Sequence, residues 1–157
     1  MNTFRRALLL CLLLAASAGC DRVTKHLAVT SLAGSDGYSY LGDTVRLDYH
    51  ENKGGFLSAG ATWQPGTRAL VFQLANGLFL MGVLVMAHRF EWSRMAKAGL
   101  VMFVAGGLSN LIDRVALGGV IDFLNVGIGP VRTGIFNVAD VAIMAGIALL
   151  VVDRWRR

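Results

Sequence analysis

Four apolar segments, nearly free of charged residues, divide this 157-residue chain and constrain its fold more than any other feature. A bilayer core takes about 20 residues of helix, whereas a soluble domain needs a polar surface that such segments do not supply. The composition agrees, since 55% of the residues are hydrophobic, 16% are charged and the mean hydropathy is +0.56. We expect an all-α membrane protein, a single domain over residues 1–157, with four transmembrane helices at about residues 7–30, 67–88, 95–113 and 135–153.

Basic residues form three clusters beside these segments: Arg5-Arg6, Arg89 with Arg94 and Lys97, and Arg154 with Arg156 and Arg157. Basic residues next to membrane spans favour the cytoplasmic side. Four spans place all three clusters and both termini there, which leaves segments 31–66 and 114–134 on the outer side. The net charge of +5 thus indicates orientation, and we expect no nucleic-acid partner.

The two outer segments differ in pattern. Residues Thr44 to His50 alternate weakly between apolar and polar and predict a strand of a small extracytoplasmic β-sheet. The second segment is rich in glycine and predicts a periplasmic loop with a short helix.

The N-terminal segment has a competing interpretation. Ser17-Ala18-Gly19-Cys20 after a leucine-rich stretch imitates a lipoprotein signal peptide with a modifiable cysteine. Three further apolar segments follow, so we expect an uncleaved first helix. Cys11 and Cys20 fall on opposite faces of that helix, which excludes a disulfide between them.

Polar residues in or beside the apolar segments are costly and indicate a functional site. Asn137 with Asp140, and Asn110 with Asp113, are spaced i, i+3, while Asp21 and Lys25 are spaced i, i+4. Asp122 lies alone among the apolar residues of Val120-Ile121-Asp122-Phe123. The predicted topology brings all of these groups to the outer membrane face.

Two neighbouring carboxyl groups share one proton and can hydrolyse a peptide bond without a covalent intermediate. Asp122 and Asp140 are the best candidates for such a pair. Asp113, next to Arg114, is alternatively an ion-paired structural carboxylate. His50-Glu51 is followed by Gly54 where a zinc-protease helix needs its second histidine, and we expect neither a metal nor another cofactor.

In these residues the sequence resembles bacterial lipoprotein signal peptidase (signal peptidase II). Five segments carry the resemblance: Asp21-Arg22-Val23-Thr24-Lys25, Glu51-Asn52-Lys53-Gly54-Gly55-Phe56, Gly106-Gly107-Leu108-Ser109-Asn110-Leu111-Ile112-Asp113-Arg114, Val120-Ile121-Asp122-Phe123 and Phe136-Asn137-Val138-Ala139-Asp140. One departure is Gly55, where members of the family often have alanine.

The resemblance implies an aspartic endopeptidase that cleaves diacylglyceryl-prolipoproteins before the lipidated cysteine, with Asp122 and Asp140 catalytic. It implies that Asn110, Arg114 and Asn137 hold the substrate backbone or orient the pair, and that Asn52, with Gly54 in the same turn, clamps the substrate or a cyclic-peptide inhibitor such as globomycin. Asp21 and Lys25 would support a groove for membrane lipid. The expected protein is a monomer of the bacterial inner membrane with its site on the periplasmic side.

Structural roles remain open for several of these residues. Asp122 is alternatively an ordinary loop acid, Asn52 a turn residue, and Arg114 an anchor to lipid headgroups. Asn110 and Asn137 are alternatively interhelical hydrogen-bonding residues. The alternative function is non-enzymatic, either a small membrane carrier or a lipoprotein anchored at Cys20. A carrier would place its acids near the bilayer midplane, which the sequence does not favour.

Overall fold

The computed structural model describes residues 3–55 and 58–156. Its helices are α1 (Thr3–Leu32), α2 (Pro65–Arg68), π-helical turns (Ala69–Ala75), α3 (Asn76–Arg89), α4 (Arg94–Leu117) and α5 (Val138–Trp155). Its strands are β1 (Tyr38–Tyr40), β2 (Val45–Asn52), β3 (Val120–Ile128) and β4 (Val131–Arg132). Phe56 of the second motif and Arg157 of the last basic cluster lie outside the described residues.

Helices occupy most of each of the four ranges predicted as spans. In the described part of the chain, two stretches are long and apolar enough to cross a membrane, Pro65–Ala87 and Arg94–Leu117. Large apolar side chains such as Leu12, Leu78 and Met81 are more than half exposed along the helices. The fold is thus mostly helical, with an apolar outer surface of the kind that a membrane protein presents to lipid.

Glycines allow α4 and α5 to pack closely. A Cβ atom on Gly106 would lie 2.3 Å from the carbonyl oxygen of Ala139, and one on Gly146 would lie 2.6 Å from that of Gly99. Small residues at such contacts let the helix backbones approach each other. This contact fixes the beginning of α5 beside the middle of α4.

The four strands form an antiparallel sheet in the order β1-β2-β3-β4. Strand β2 confirms the predicted strand at Thr44–His50, and its register pairs His50 with Asp122. The expected loop and short helix in the second outer segment were wrong, because that segment forms β3 and β4. Strand β3 pairs with β2 along one edge. Its apolar residues Ile121 and Phe123 pack on α1 against Ala28 and Leu32.

Helix ends also differ from the expected spans. Helix α4 continues through Asp113 and Arg114 to Leu117, and Gly118 ends it with a φ of 76°. Charged residues did not end the helix because both side chains find partners in the protein. Helix α5 begins after Asn137, which caps it.

Candidate active site

A cavity of about 970 Å³ opens between the helices and the sheet. Most of its wall is apolar, with side chains that include Val71, Phe72, Phe79, Leu80, Phe103, Val120, Ile135, Phe136, Val141, Ile143 and Met144. Its polar lining includes Asn52, Asn76, Asn110, Arg114, Asp122, Thr133 and Asp140. An apolar pocket with a few convergent polar groups is the usual form of a binding or active site.

Asp122 reaches the cavity from β3 and is 3% exposed. Its Oδ2 accepts a hydrogen bond from Asn52 Nδ2 at 3.0 Å, and its Oδ1 accepts one from Asn137 Nδ2 at 2.6 Å. Burial raises the pKa of this carboxyl group; the Asn52 hydrogen bond opposes the shift, and the charge of Asp140 adds to it. Asp122 is therefore disposed to keep a proton at higher pH than an exposed aspartate.

Asp140 lies in the first turn of α5 and forms a capping box with Asn137. The Asp140 backbone N–H donates to Asn137 Oδ1 at 3.0 Å, and the Asn137 backbone N–H donates to Asp140 Oδ2 at 3.1 Å. Asn110 Nδ2 donates to the other carboxylate oxygen at 2.9 Å. Asn137, fully buried, thus contacts both carboxylates, one through its side chain and one through its backbone.

Each of the three asparagine carboxamides is held in one orientation. The oxygen of Asn52 accepts from the Gly54 N–H at 3.0 Å, that of Asn137 from Asp140, and that of Asn110 from Lys25 Nζ at 2.8 Å. Each amide NH₂ group must therefore face a carboxylate. The pair receives neutral donors in fixed positions, and no cation touches it directly within the described residues.

Lys25 lies behind the cavity in a buried ion network. Its Nζ forms two ion pairs, at 2.7 Å from Asp21 Oδ2 and at 2.7 Å from Asp113 Oδ2. Arg22 pairs with the other oxygen of Asp113 at 2.5 Å. Ser109 Oγ donates to Asp21 Oδ2 at 2.6 Å, and the Ala139 N–H donates to Asp21 Oδ1 at 2.8 Å. The network joins α1, α4 and the beginning of α5.

Arg114 connects the turn after β2 to the cavity. Its Nη2 donates to the Gly54 carbonyl at 3.0 Å, its Nη1 donates to the Asn110 carbonyl at 3.2 Å, and its guanidinium lies 6.0 Å from the Phe72 ring centre. Gly54 cannot carry a side chain here, since a Cβ atom would lie 2.4 Å from the Ala59 carbonyl oxygen. The turn after Asn52 is therefore closely packed against the backbone of Ser58 and Ala59, and Arg114 links it to α4.

The family model for signal peptidase (SPase) II matches residues 13–156. The chain belongs to the signal peptidase II family. It is 32% identical to a lipoprotein signal peptidase of Desulforapulum autotrophicum over 152 residues, which cover 96% of this chain and 93% of that protein. It is 36% identical to a lipoprotein signal peptidase of Mycobacterium leprae over 156 residues, which cover 94% of this chain and 72% of that protein.

A solved bacterial membrane enzyme, determined by the in meso method at 2.3 Å resolution, shares the fold of this signal peptidase II family member. The TM-score is 0.82 at 21% identity, covering 94% of this chain and 88% of the solved one. The chain is thus a membrane protein of a peptidase family, and membership is consistent with the predicted removal of signal peptides from prolipoproteins. The alternative of a carrier or of a lipoprotein anchored at Cys20 is not favoured.

The structure brings the predicted site residues of this signal peptidase II family member into one connected set. Asn52, Asn110, Arg114, Asp122 and Asp140 line the cavity, and Asn137 joins the two aspartates. Asp21, Lys25 and Asp113 do not line it, being buried behind Asn110. Asp113 pairs with Lys25 and Arg22, which matches the alternative interpretation of an ion-paired structural carboxylate. The neighbouring Arg114 is not one of these two partners.

Ser109 and Arg22 belong to this network but were not selected from the sequence. Both stand in motifs that carry the family resemblance, and that position was the only signal for them. Among the described residues, no group of three or more histidine, cysteine or acidic side chains has the geometry to hold a metal ion.

Proposed function

We propose that this protein is an aspartic endopeptidase of the bacterial inner membrane that removes signal peptides from diacylglyceryl-prolipoproteins, cutting before the lipidated cysteine. In this proposal Asp122 and Asp140 are the catalytic pair. The observation that carries it is that one buried asparagine, Asn137, hydrogen-bonds both carboxylates at the polar end of an apolar cavity.

The reaction needs one ionised and one protonated carboxyl group. The ionised group accepts a proton from water while the water oxygen bonds to the scissile carbonyl carbon, and the protonated group donates its proton to the carbonyl oxygen. When the C–N bond breaks, the first group returns its proton to the leaving amine, and the second recovers its own from the hydroxyl. The raised pKa of Asp122 supports such a division of one proton between two groups.

The surrounding polar residues then have distinct roles. Asn52, Asn110 and Asn137 hold the two carboxylates in position through neutral donors. Arg114, which lines the cavity, and the Gly54 turn would hold the substrate backbone. The ion network of Asp21, Lys25 and Asp113 supports Asn110 from behind.

The apolar wall of the cavity supports the proposed substrate class. A signal peptide brings an apolar helical segment, and a diacylated cysteine brings two acyl chains, which apolar side chains can accommodate. A cyclic lipopeptide of the globomycin type would compete for the same space.

In the proposed membrane arrangement α1 and α5 cross the bilayer together with the spans at Pro65–Ala87 and Arg94–Leu117. The start of α1, the connection between α3 and α4, and the end of α5 carry the basic clusters and would face the cytoplasm. The cavity and the sheet would then face the periplasm. We propose that the monomer is the active form.

The test is cleavage of a purified diacylated prolipoprotein by Asp122→Asn and Asp140→Asn variants. Each should lose at least about 100-fold in rate, because an amide can neither accept nor donate the required proton. Asp48→Asn serves as the matched control, since Asp48 is exposed on the same sheet. Near wild-type cleavage by either dyad variant, with circular dichroism confirming its fold, would contradict the assignment.

A further inference from the structure

A second, smaller pocket of about 170 Å³ lies beside the active-site cavity. Three basic side chains line it, Lys53, Arg68 and Arg114, together with Phe72 and Gln73, and no acidic residue does. Arg114 is shared with the large cavity, so the two spaces meet at its guanidinium. We call this space the basic pocket.

The cations of the basic pocket differ from the basic groups that have carboxylate partners. Arg22, Lys25, Arg46 and Arg132 each have a carboxylate within 4.0 Å. Among the described residues, none of the three pocket cations has one. The Nε atoms of Arg68 and Arg114 are both buried and lack a hydrogen-bond partner among these residues.

An unsatisfied buried donor is unusual in a folded protein and calls for an acceptor. The nearby carbonyl of Arg114 cannot serve, because it already accepts from the Gly118 N–H at 3.1 Å and from Gln73 Nε2 at 2.8 Å. Three positive charges around one pocket fit an oxygen-rich anion, and guanidinium groups bind phosphate particularly well.

The position of the pocket identifies the source of that anion. The span Pro65–Ala87 begins at the pocket, where Pro65 and Arg68 line it. The span Arg94–Leu117 ends there, where Arg114 and Gly118 line it. The shared end of two antiparallel membrane spans lies at the level of the lipid headgroups.

We propose that the basic pocket binds the phosphate of an anionic phospholipid headgroup. Lys53 supplies a point charge, and the guanidinium groups of Arg68 and Arg114, which line the pocket, donate hydrogen bonds. Lys53 lies between Asn52, which holds Asp122, and Gly54, which holds Arg114. A bound phosphate therefore fixes the turn that orders the active site, and this consequence for activity rests on the proposed function whereas lipid binding does not.

The binding test uses the full chain in detergent with dioleoyl phosphatidylglycerol, dioleoyl phosphatidylcholine or inorganic phosphate as the probe. Native mass spectrometry should show that phosphatidylglycerol binds more tightly than either other probe. Thermal unfolding should show that phosphatidylglycerol stabilises the protein more than either other probe does. A Lys53→Gln/Arg68→Gln double variant should bind phosphatidylglycerol about thirtyfold more weakly. An Arg94→Gln/Lys97→Gln variant removes the same charge from exposed positions at the opposite end of α4 and should bind it as the wild type does.

The activity test uses bilayer discs. Adding phosphatidylglycerol to phosphatidylcholine should raise cleavage by the wild type and by the control variant. The Lys53/Arg68 variant should cleave at the same rate in both lipids. Equal binding of the two lipids, or undiminished phosphatidylglycerol binding by the Lys53/Arg68 variant, would overturn the proposal. If inorganic phosphate stabilises the protein against thermal unfolding as much as phosphatidylglycerol does, the proposal that the bound anion comes from a lipid is wrong. If cleavage is absent in every lipid while selective binding persists, the proposed function fails and the lipid site stands.

Discussion

Replacing Lys25 by methionine tests whether the buried ion network supports the site. The substitution keeps an unbranched side chain of similar length but removes two ion-pair contacts and the hydrogen bond to Asn110. Asp113 would keep Arg22, while Asp21, with no exposed surface, would keep only the Ser109 hydroxyl and the Ala139 N–H. Removing one partner of a buried pair typically destabilises a protein by about 3–5 kcal/mol.

For a chain of this length that loss corresponds to a fall of roughly 6–20 °C in the unfolding midpoint. The cleavage rate should fall as well, since the carboxamide of Asn110 would no longer be held with its NH₂ group on Asp140.

The assay combines thermal unfolding in detergent with cleavage of a diacylated prolipoprotein. A Lys25→Met/Asp21→Asn double variant should recover part of the stability, because it removes the orphaned charge together with its partner. Arg46→Met, which breaks an exposed pair with Asp43, is the control and should change neither measurement. A single Lys25→Met variant that unfolds and cleaves as the wild type does would refute the reasoning.

Two further predictions concern packing and pH. Gly146→Ala should destabilise the protein by about 1–3 kcal/mol, because the added Cβ would lie 2.6 Å from the Gly99 carbonyl oxygen. Gly82→Ala is the control and should not destabilise it, because no atom lies within 4 Å of the added Cβ. Equal unfolding midpoints for the two variants would contradict the packing argument. Because the pKa of Asp122 is raised above 3.8 in the folded state, the folded state holds more protons than the unfolded state at pH values between 3.8 and the folded pKa. The contribution of Asp122 to stability is therefore present at lower pH and is lost as pH rises through the folded pKa. The unfolding midpoint of Asp122→Asn relative to wild type should therefore increase from pH 4 to pH 7, and a constant difference would count against the shift.

The helices were the most predictable part of the fold, because long apolar segments leave little choice of structure. Their ends were less so. Asp113 and Arg114 suggested the end of the third helix, yet the structure pairs Asp113 with residues of α1 and Arg114 with the Gly54 carbonyl. A charge can stay within a helix when a distant partner compensates it, and that partner is not visible in the local sequence.

The strand β3 was missed for a related reason. Val120 to Phe123 are buried one after another, so the segment does not alternate as a surface strand does. The glycines around it gave a turn signal instead. Its pairing with β2 brings Asp122 to the cavity, and a backbone bridge between Leu124 and Phe136 brings the strand beside the start of α5. From the sequence, Asp122 and Asp140 could be assigned only to the same membrane face.

The spacing of Asn137 and Asp140 was informative, since i, i+3 is the spacing of a capping box, which the structure forms. That spacing did not reveal that the Asn137 side chain also reaches Asp122. Likewise Asp21 and Lys25, spaced i, i+4, pair at 2.7 Å, but the contact of Lys25 with Asn110 joins residues 85 positions apart. Long-range contacts of this kind depend on the packing of α1 against α4.

The buried ion network around Lys25 does not contact Asp122 or Asp140 directly, and this separation has a chemical consequence. If Lys25 touched Asp140 directly, the ion pair would favour the ionised carboxylate and oppose a shared proton. The structure instead places Asn110 between them, so the cation fixes an amide and the amide donates to the carboxylate. Arg22 and Lys25 together balance Asp21 and Asp113, which leaves the network with no formal excess charge. The buried ions can therefore order the cavity wall without holding both catalytic candidates in the ionised form, which is the condition that hydrolysis by two carboxyl groups requires.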